Sequence, residues 1–178
     1  MNRQVATVVA VMAVAASAAV TACSQTVGGS AQRSVTPIDE PGRSFGYVDN
    51  RCGMLADTSV RDTLSAKDIA RPYSGAVCQY VLTRQSTTID ATFSWYETGT
   101  MDRERAAAAA RGAETSETVV ERHDTLLVKS STTGVGCSAT TSAEPGVLSW
   151  WVQIRGQQSG DPCADAQKLL AATLSSEM

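Results

Sequence analysis

Cysteines at positions 52, 78, 137 and 163 constrain this chain more than any other feature. A small oxidised domain can adopt only folds that bring such residues within covalent reach of one another. A fifth cysteine, Cys23, stands at the end of an apolar run. An odd count in an exported chain needs an explanation, so the use of Cys23 decides whether the other four form an even set. No two of the five are spaced as the close Cys-x-x-Cys pair of a zinc or redox site. Structural disulfides are therefore expected, with no metal site and no cofactor.

The segment before Cys23 reads as targeting information. Arg3 is the only charge in residues 1–22, and Val5 to Val20 is an uninterrupted run of Val, Ala, Met, Thr and Ser. That is the layout of a secretory signal. A spanning helix needs about 20 predominantly apolar residues, and this run is shorter, with alanine its commonest residue. Val20, Thr21, Ala22 and Cys23 resemble the lipobox of bacterial lipoproteins, with Val in the place more often held by Leu. The resemblance implies a diacylated Cys23 at the new N-terminus, and it removes the odd cysteine. Ordinary cleavage near Ala22 is the alternative and would leave Cys23 a spare thiol. The expected organisation is a signal peptide over 1–22, a lipidated cysteine with a flexible tether over 23–46, and a folded extracytoplasmic domain over 47–178. The protein would then sit on the outer face of the cell membrane, held through the lipid on Cys23.

Charge narrows the partners. Loss of residues 1–22 removes only Arg3, which moves the formal net charge from −3 to about −4. No basic run appears, so nucleic-acid binding has no electrostatic support. Residues 24–46 are polar, carry Pro37 and Pro41, and show neither helical nor strand periodicity. A flexible chain of that length holds a domain roughly 25 Å from its anchor.

The remainder alternates between helical and strand patterns. A short helix is expected to open at Cys52, with Ser59 and Asp62 as a capping pair and an end near Ala70. Residues 76–83 are rich in β-formers. Residues 88–97 alternate cleanly, with Ile89, Ala91, Phe93 and Trp95 on one face and Asp90, Thr92 and Ser94 on the other. Thr100 then caps a helix that carries five consecutive alanines and stops at Gly112. Strands follow over 118–122 (weak), 125–130, 135–142 and 147–154, with Glu144, Pro145 and Gly146 as the turn before the last. Asp161 and Pro162 open a final helix on which Cys163, Ala166, Leu170 and Leu174 share a face. This order predicts an α+β domain with a mainly antiparallel sheet. Four cysteines allow three connectivities. The sequential one, Cys52 with Cys78 and Cys137 with Cys163, is expected because each bridge would staple a helix start to a strand beneath it.

The strings "GAVCQYVL", "IDATFSWYETGTMDRER", "GVGCSATTSAEPGVLSWWVQI" and "DPCADAQKLLAATL" resemble the actinobacterial lipoproteins of unknown function typified by the mycobacterial LprB and LprC. Tyr80 stands where that family commonly has a Trp. The resemblance implies helices packed on a curved antiparallel sheet, similar to domains of the PsbP and Mog1 type. It carries over no activity and no catalytic residue.

Candidate chemistry is sparse. His123 is the single histidine, and no nucleophile elbow, P-loop or dinucleotide-binding motif accompanies it. It sits in a polar break between apolar runs, as an exposed turn histidine would. Glu114, Glu117 and Glu121 fall at helix-compatible spacing and read as a solvated charged face. In the strand 147–154, alternation turns Trp150 into the core and sets Trp151 on the more polar face, either as a contact residue or packed beneath a helix or the tether. The chain is thus expected to bind or assist rather than catalyse. Its partner would be an envelope lipid, glycan or membrane protein contacted through Trp151. A hydrolase using His123 and a structural lipoprotein without ligand are the alternatives, and the oligomeric state is left open.

Overall fold

The computed structural model describes residues 45–131, 134–156 and 160–176. The expected signal peptide, Cys23 and almost all of the expected tether, residues 1–44, lie outside them. The described residues all belong to the compact unit Ile38–Met178.

Two short strands, β1 (Tyr47–Val48) and β2 (Arg51–Cys52), form a hairpin, followed by helix α1 (Asp57–Thr63). A meander of β3 (Asp68–Tyr73), β4 (Val77–Arg84) and β5 (Thr87–Tyr96) comes next, then α2 (Met101–Ala110). A second meander, β6 (Glu114–Val120), β7 (His123–Ser130), β8 (Val135–Ala143) and β9 (Gly146–Ile154), leads into α3 (Pro162–Ser175). β3 to β9 make one seven-stranded sheet in the order β3-β4-β5-β9-β8-β7-β6, antiparallel throughout. The fold is α+β with an open sheet.

Topology explains α2. The first meander ends at β5 and the second begins at the far edge, so the connection must cross β9, β8 and β7. Ten helical residues cover about 15 Å, close to the width of three strands. Alanines let this helix lie low on the sheet: Ala108 is fully buried against Leu126 and Val128. Thr100 caps it by accepting from Arg103 N–H at 3.3 Å, and Gly112 ends it at φ +62°.

α1 and α3 occupy the other side. There Leu82, Ile89, Phe93, Leu148, Trp150 and Val152 pack with Leu169 and Leu170 of α3. Asp161 caps α3 by accepting from Cys163 and Ala164 N–H, with Pro162 in the first turn. The buried Asp165 of α3 meets Arg84 of β4 at 2.8 Å, and Arg84 also donates to the Leu64 carbonyl at the end of α1. One guanidinium thereby joins three elements over this core.

The N-terminal segment departs from the expected helix. Cys52 ends a strand and opens no helix. Gly53 and Met54 both take positive φ, so residues 52–55 close as a tight turn with reciprocal hydrogen bonds between Cys52 and Leu55. A Cβ at Gly53 would come within 2.6 Å of the Phe93 ring, which is why glycine serves there. α1 starts at Asp57 without a side-chain cap, so Ser59 and Asp62 lie inside the helix, and Ser65 at φ +51° ends it well before Ala70. Ala70 belongs to β3. Arg71, one residue on, reaches out of the sheet to the Asn50 carbonyl and to Asp57 Oδ1, both at 2.9 Å, and its guanidinium lies over the Tyr47 ring. That side chain fastens hairpin and helix to the sheet edge.

Candidate functional site

Antiparallel register places side chains of the α2-bearing face in rows. Gln79, Thr92, Trp151 and Ser138 stand side by side on β4, β5, β9 and β8. The next row holds Val77, Ser94, Ser149 and Thr140, where the Thr140 and Ser149 hydroxyls bond at 2.7 Å. On the other flank lie Val81, Asp90, Gln153 and Gly136. α2 packs on this face through Ala108 against Leu126 and Val128 of β7, and Gln79, Thr92, Ser94 and Ser149 keep contact with solvent.

Trp151 is partly exposed at the centre of that surface. Its six-membered ring rests on Gly136, where a Cβ would come 2.3 Å from Trp151 Cζ2. Glycine at 136 thus makes the seat that lets a large ring lie down on a sheet. The ring packs on β8, not under a helix, and is partly exposed; the tether, the other cover expected for it, lies outside the described residues. Asp90 is held by Arg155 at 2.5 and 2.6 Å, and this bond raises the Arg155 pKa. Paired in this way, the row beside Trp151 carries no net charge. A partly exposed indole among hydroxyls and amides can stack on an apolar sugar or ring face while exchanging hydrogen bonds around it.

Cys52–Cys78 and Cys137–Cys163 are bridged, with Cα atoms 6.2 and 4.9 Å apart. The pairing is the sequential one, and only the second bridge joins a helix start to a strand; the first joins β2 to β4. His123 is exposed at the first position of β7, paired with Val120 across a two-residue turn. Among the described residues, no hydrogen bond or ion pair joins its imidazole to a serine or a carboxylate. Glu114 and Glu117 are exposed as expected, but they lie on strand β6, bonded to Lys129 and Arg105 at 3.0 Å each, and Glu121 lies in the turn. Helical spacing misled because Thr and Val between the acids favour a strand. Among the described residues no group of three His, Cys, Asp or Glu is placed to hold a metal, and no helix is long and apolar enough to cross a membrane.

Two features escaped sequence reasoning. One is the Arg71 cluster, beside which the buried Tyr80 hydroxyl lies; burial pushes that phenol up to about 12, and the guanidinium pulls it the other way without bonding geometry to it. The other is a shallow recess of about 660 Å³ between α2 and β6, lined in part by Ala109, Ala113, Thr115 and Leu126. Both depend on tertiary neighbours rather than on any local pattern.

No curated protein and no solved structure is significantly similar to the chain. A family model described as protein of unknown function (DUF3558) matches residues 18–176, and the chain belongs to that family.

Proposed function

We propose that this protein is a lipid-anchored binding or accessory domain of the cell envelope, of the kind typified by LprB and LprC, and that it contacts an envelope glycan through the sheet face around Trp151. The carrying observation is that face: a partly exposed indole seated on Gly136, among Thr92, Ser138, Ser149 and Gln79, with its one nearby carboxylate neutralised. Saccharides offer the matching chemistry, since apolar ring faces stack on indole and their hydroxyls exchange bonds with hydroxyl and amide side chains. Two disulfides support an oxidising compartment. "VTAC" supports acylation of Cys23. Acyl chains supply membrane affinity at about 0.8 kcal/mol per buried methylene, so Cys23→Ala should move the protein to the soluble fraction.

Calorimetric titration of the full chain with fragmented, soluble envelope polysaccharide tests the reading. Binding that falls at least tenfold in Trp151→Ala, with the melting temperature little changed, is the expected result. Equal binding by both proteins would remove Trp151 from the site, and mass spectra of the membrane fraction showing an unmodified Cys23 would remove the anchor.

A further inference from the structure

The two edges of the seven-stranded sheet are finished differently. β3 carries an irregularity between Ala70 and Tyr73, holds Pro72, and has α1 and the β1–β2 hairpin fastened to it through Arg71. These are the usual devices that blunt an edge. β6 lacks the irregularity and the proline: its seven residues pair with β7 in unbroken register, without lysine, α2 reaches it through the exposed Arg105–Glu117 pair, and Val119 is 63 % exposed.

Turn geometry fixes which β6 groups are free to pair. Glu121 and Arg122 form a two-residue turn with φ +48° and +67°, and such hairpins set the flanking residues, here Val120 and His123, as a hydrogen-bonded pair. By alternation Glu114, Ser116, Thr118 and Val120 bond to β7. Thr115, Glu117 and Val119 turn their N–H and C=O groups outward. Behind this edge lies the recess against α2, floored by Ala109, Ala113 and Leu126. Among the described residues no strand pairs with this edge, and an unpaired edge beside a helix-walled recess is the arrangement used for adding a peptide strand to a sheet.

We infer that β6 takes up an extended segment of a partner protein as an eighth, antiparallel strand. The segment would carry an apolar residue opposite Val119 and, two positions later, a Lys or Arg opposite Glu117. A second copy of this chain is disfavoured as the occupant. Symmetric pairing over the whole strand would set Glu117 of one copy against Glu117 of the other, and like charges directly opposed destabilise a ladder. A basic residue is favoured there instead. Glu117 is exposed, and Arg105, which now bonds it at 3.0 Å, has Asp102 as a second carboxylate at 3.4 Å. β8 and β7 separate this edge from Trp151 on β9, and the inference stands or falls independently of glycan binding.

Amide hydrogen exchange of the full chain in detergent, with the peptide Thr-Val-Thr-Lys-Thr-Ala-Lys as probe and the same peptide with both Lys replaced by Glu as control, tests it. Expected is at least tenfold slower exchange at Thr115, Glu117 and Val119 with the Lys peptide, at concentrations at least tenfold below those the Glu peptide requires. Val119→Pro removes one outward donor and should abolish the effect. Glu117→Lys should reverse the preference, and it keeps the backbone intact should the proline variant fold poorly. Equal protection by both peptides, protection at β3 instead, or no protection at millimolar peptide would overturn the inference. So would slowing of the same amides with protein concentration alone, which would make a second copy the occupant.

Discussion

Trp150 and Trp151 are neighbours in the chain and belong to opposite faces of one sheet. Trp150 is fully buried among Phe93, Tyr80 and α3, and its Nε1–H donates to Thr173 Oγ1 at 2.8 Å. Trp151 lies on Gly136, partly in solvent. The difference extends to whole faces. Under α1 and α3 the sheet gathers its large side chains, both disulfides and the Arg84–Asp165 pair. Under α2 it has one small cluster around Ala108, and beyond that a surface of Thr, Ser and Gln. Stability is concentrated on one side, which leaves the other free to vary its chemistry with little cost to the fold.

Truncating the two indoles gives the largest contrast. Trp150→Ala should lose about 3–5 kcal/mol, the range for removing a large buried aromatic, and should also remove the donor to Thr173 Oγ1, which keeps its bond to the Leu169 carbonyl. Trp151→Ala should cost no more than about 1 kcal/mol, as surface changes away from special features do. Urea unfolding of both variants checks this. Comparable losses would mean that the two faces share the load, and the comparison would fail.

Disulfides come next. Each bridge closes a sequence separation of 26 residues, for which the chain-entropy relation gives about 3–4 kcal/mol. A Cys137→Ala, Cys163→Ala double variant should therefore unfold at clearly lower urea while its Trp151 emission, taken before unfolding, stays as in the parent. An emission change in the folded variant would show that the stapled face governs the shape of the open one.

Much of this asymmetry is legible in the sequence. Period-two alternation in 88–97 and 147–154 assigns faces correctly, because each strand is central and one side of it is fully buried. Helix caps at Thr100 and Asp161 are legible too, since a cap is a local contact. Residues 52–70 are not. There a turn with two positive φ angles and an uncapped seven-residue helix are held by Phe93, Arg71 and the Cys52–Cys78 bridge, all of them distant in sequence. The Trp151 surface was half legible: alternation places the indole, but only the neighbouring strand supplies the Gly136 seat. The strand character of Glu114 to Thr118 was hidden by acids that an edge strand tolerates in solvent.

Alkaline titration adds a third, somewhat smaller effect on the stapled face. The Tyr80 phenol is held up to about 12, first by burial, whereas an unfolded chain releases its proton near 10. Between those values the unfolded state binds fewer protons than the native one, so stability is complete below pH 10 and falls as pH rises toward 12. Two units correspond to about 2–3 kcal/mol. Tyr80→Phe should flatten this part of the stability–pH curve and, because the buried hydroxyl has no bonding partner, cost little at neutral pH. An unchanged slope above pH 10 in that variant would assign the alkaline loss to other groups.

The smallest effect on stability should come from Gly136→Ala, and it tests the open face most directly. The new methyl would fall 2.3 Å from Trp151 Cζ2 and 2.8 Å from Cη2, which no packing tolerates unless something moves. What it meets is the far end of a side chain that already borders solvent, so the indole can tip outward while the β8–β9 ladder stays in register. Small-to-large changes in a tightly packed core cost about 1–3 kcal/mol; here relief into solvent should keep the loss near 1 kcal/mol or below. The signature is spectroscopic: emission of Trp151, isolated by subtracting the Trp151→Phe spectrum in each background, should shift to the red. A loss of several kcal/mol with unchanged emission would mean that the ring is locked from above as well as seated from below, and the face around it would then be closed.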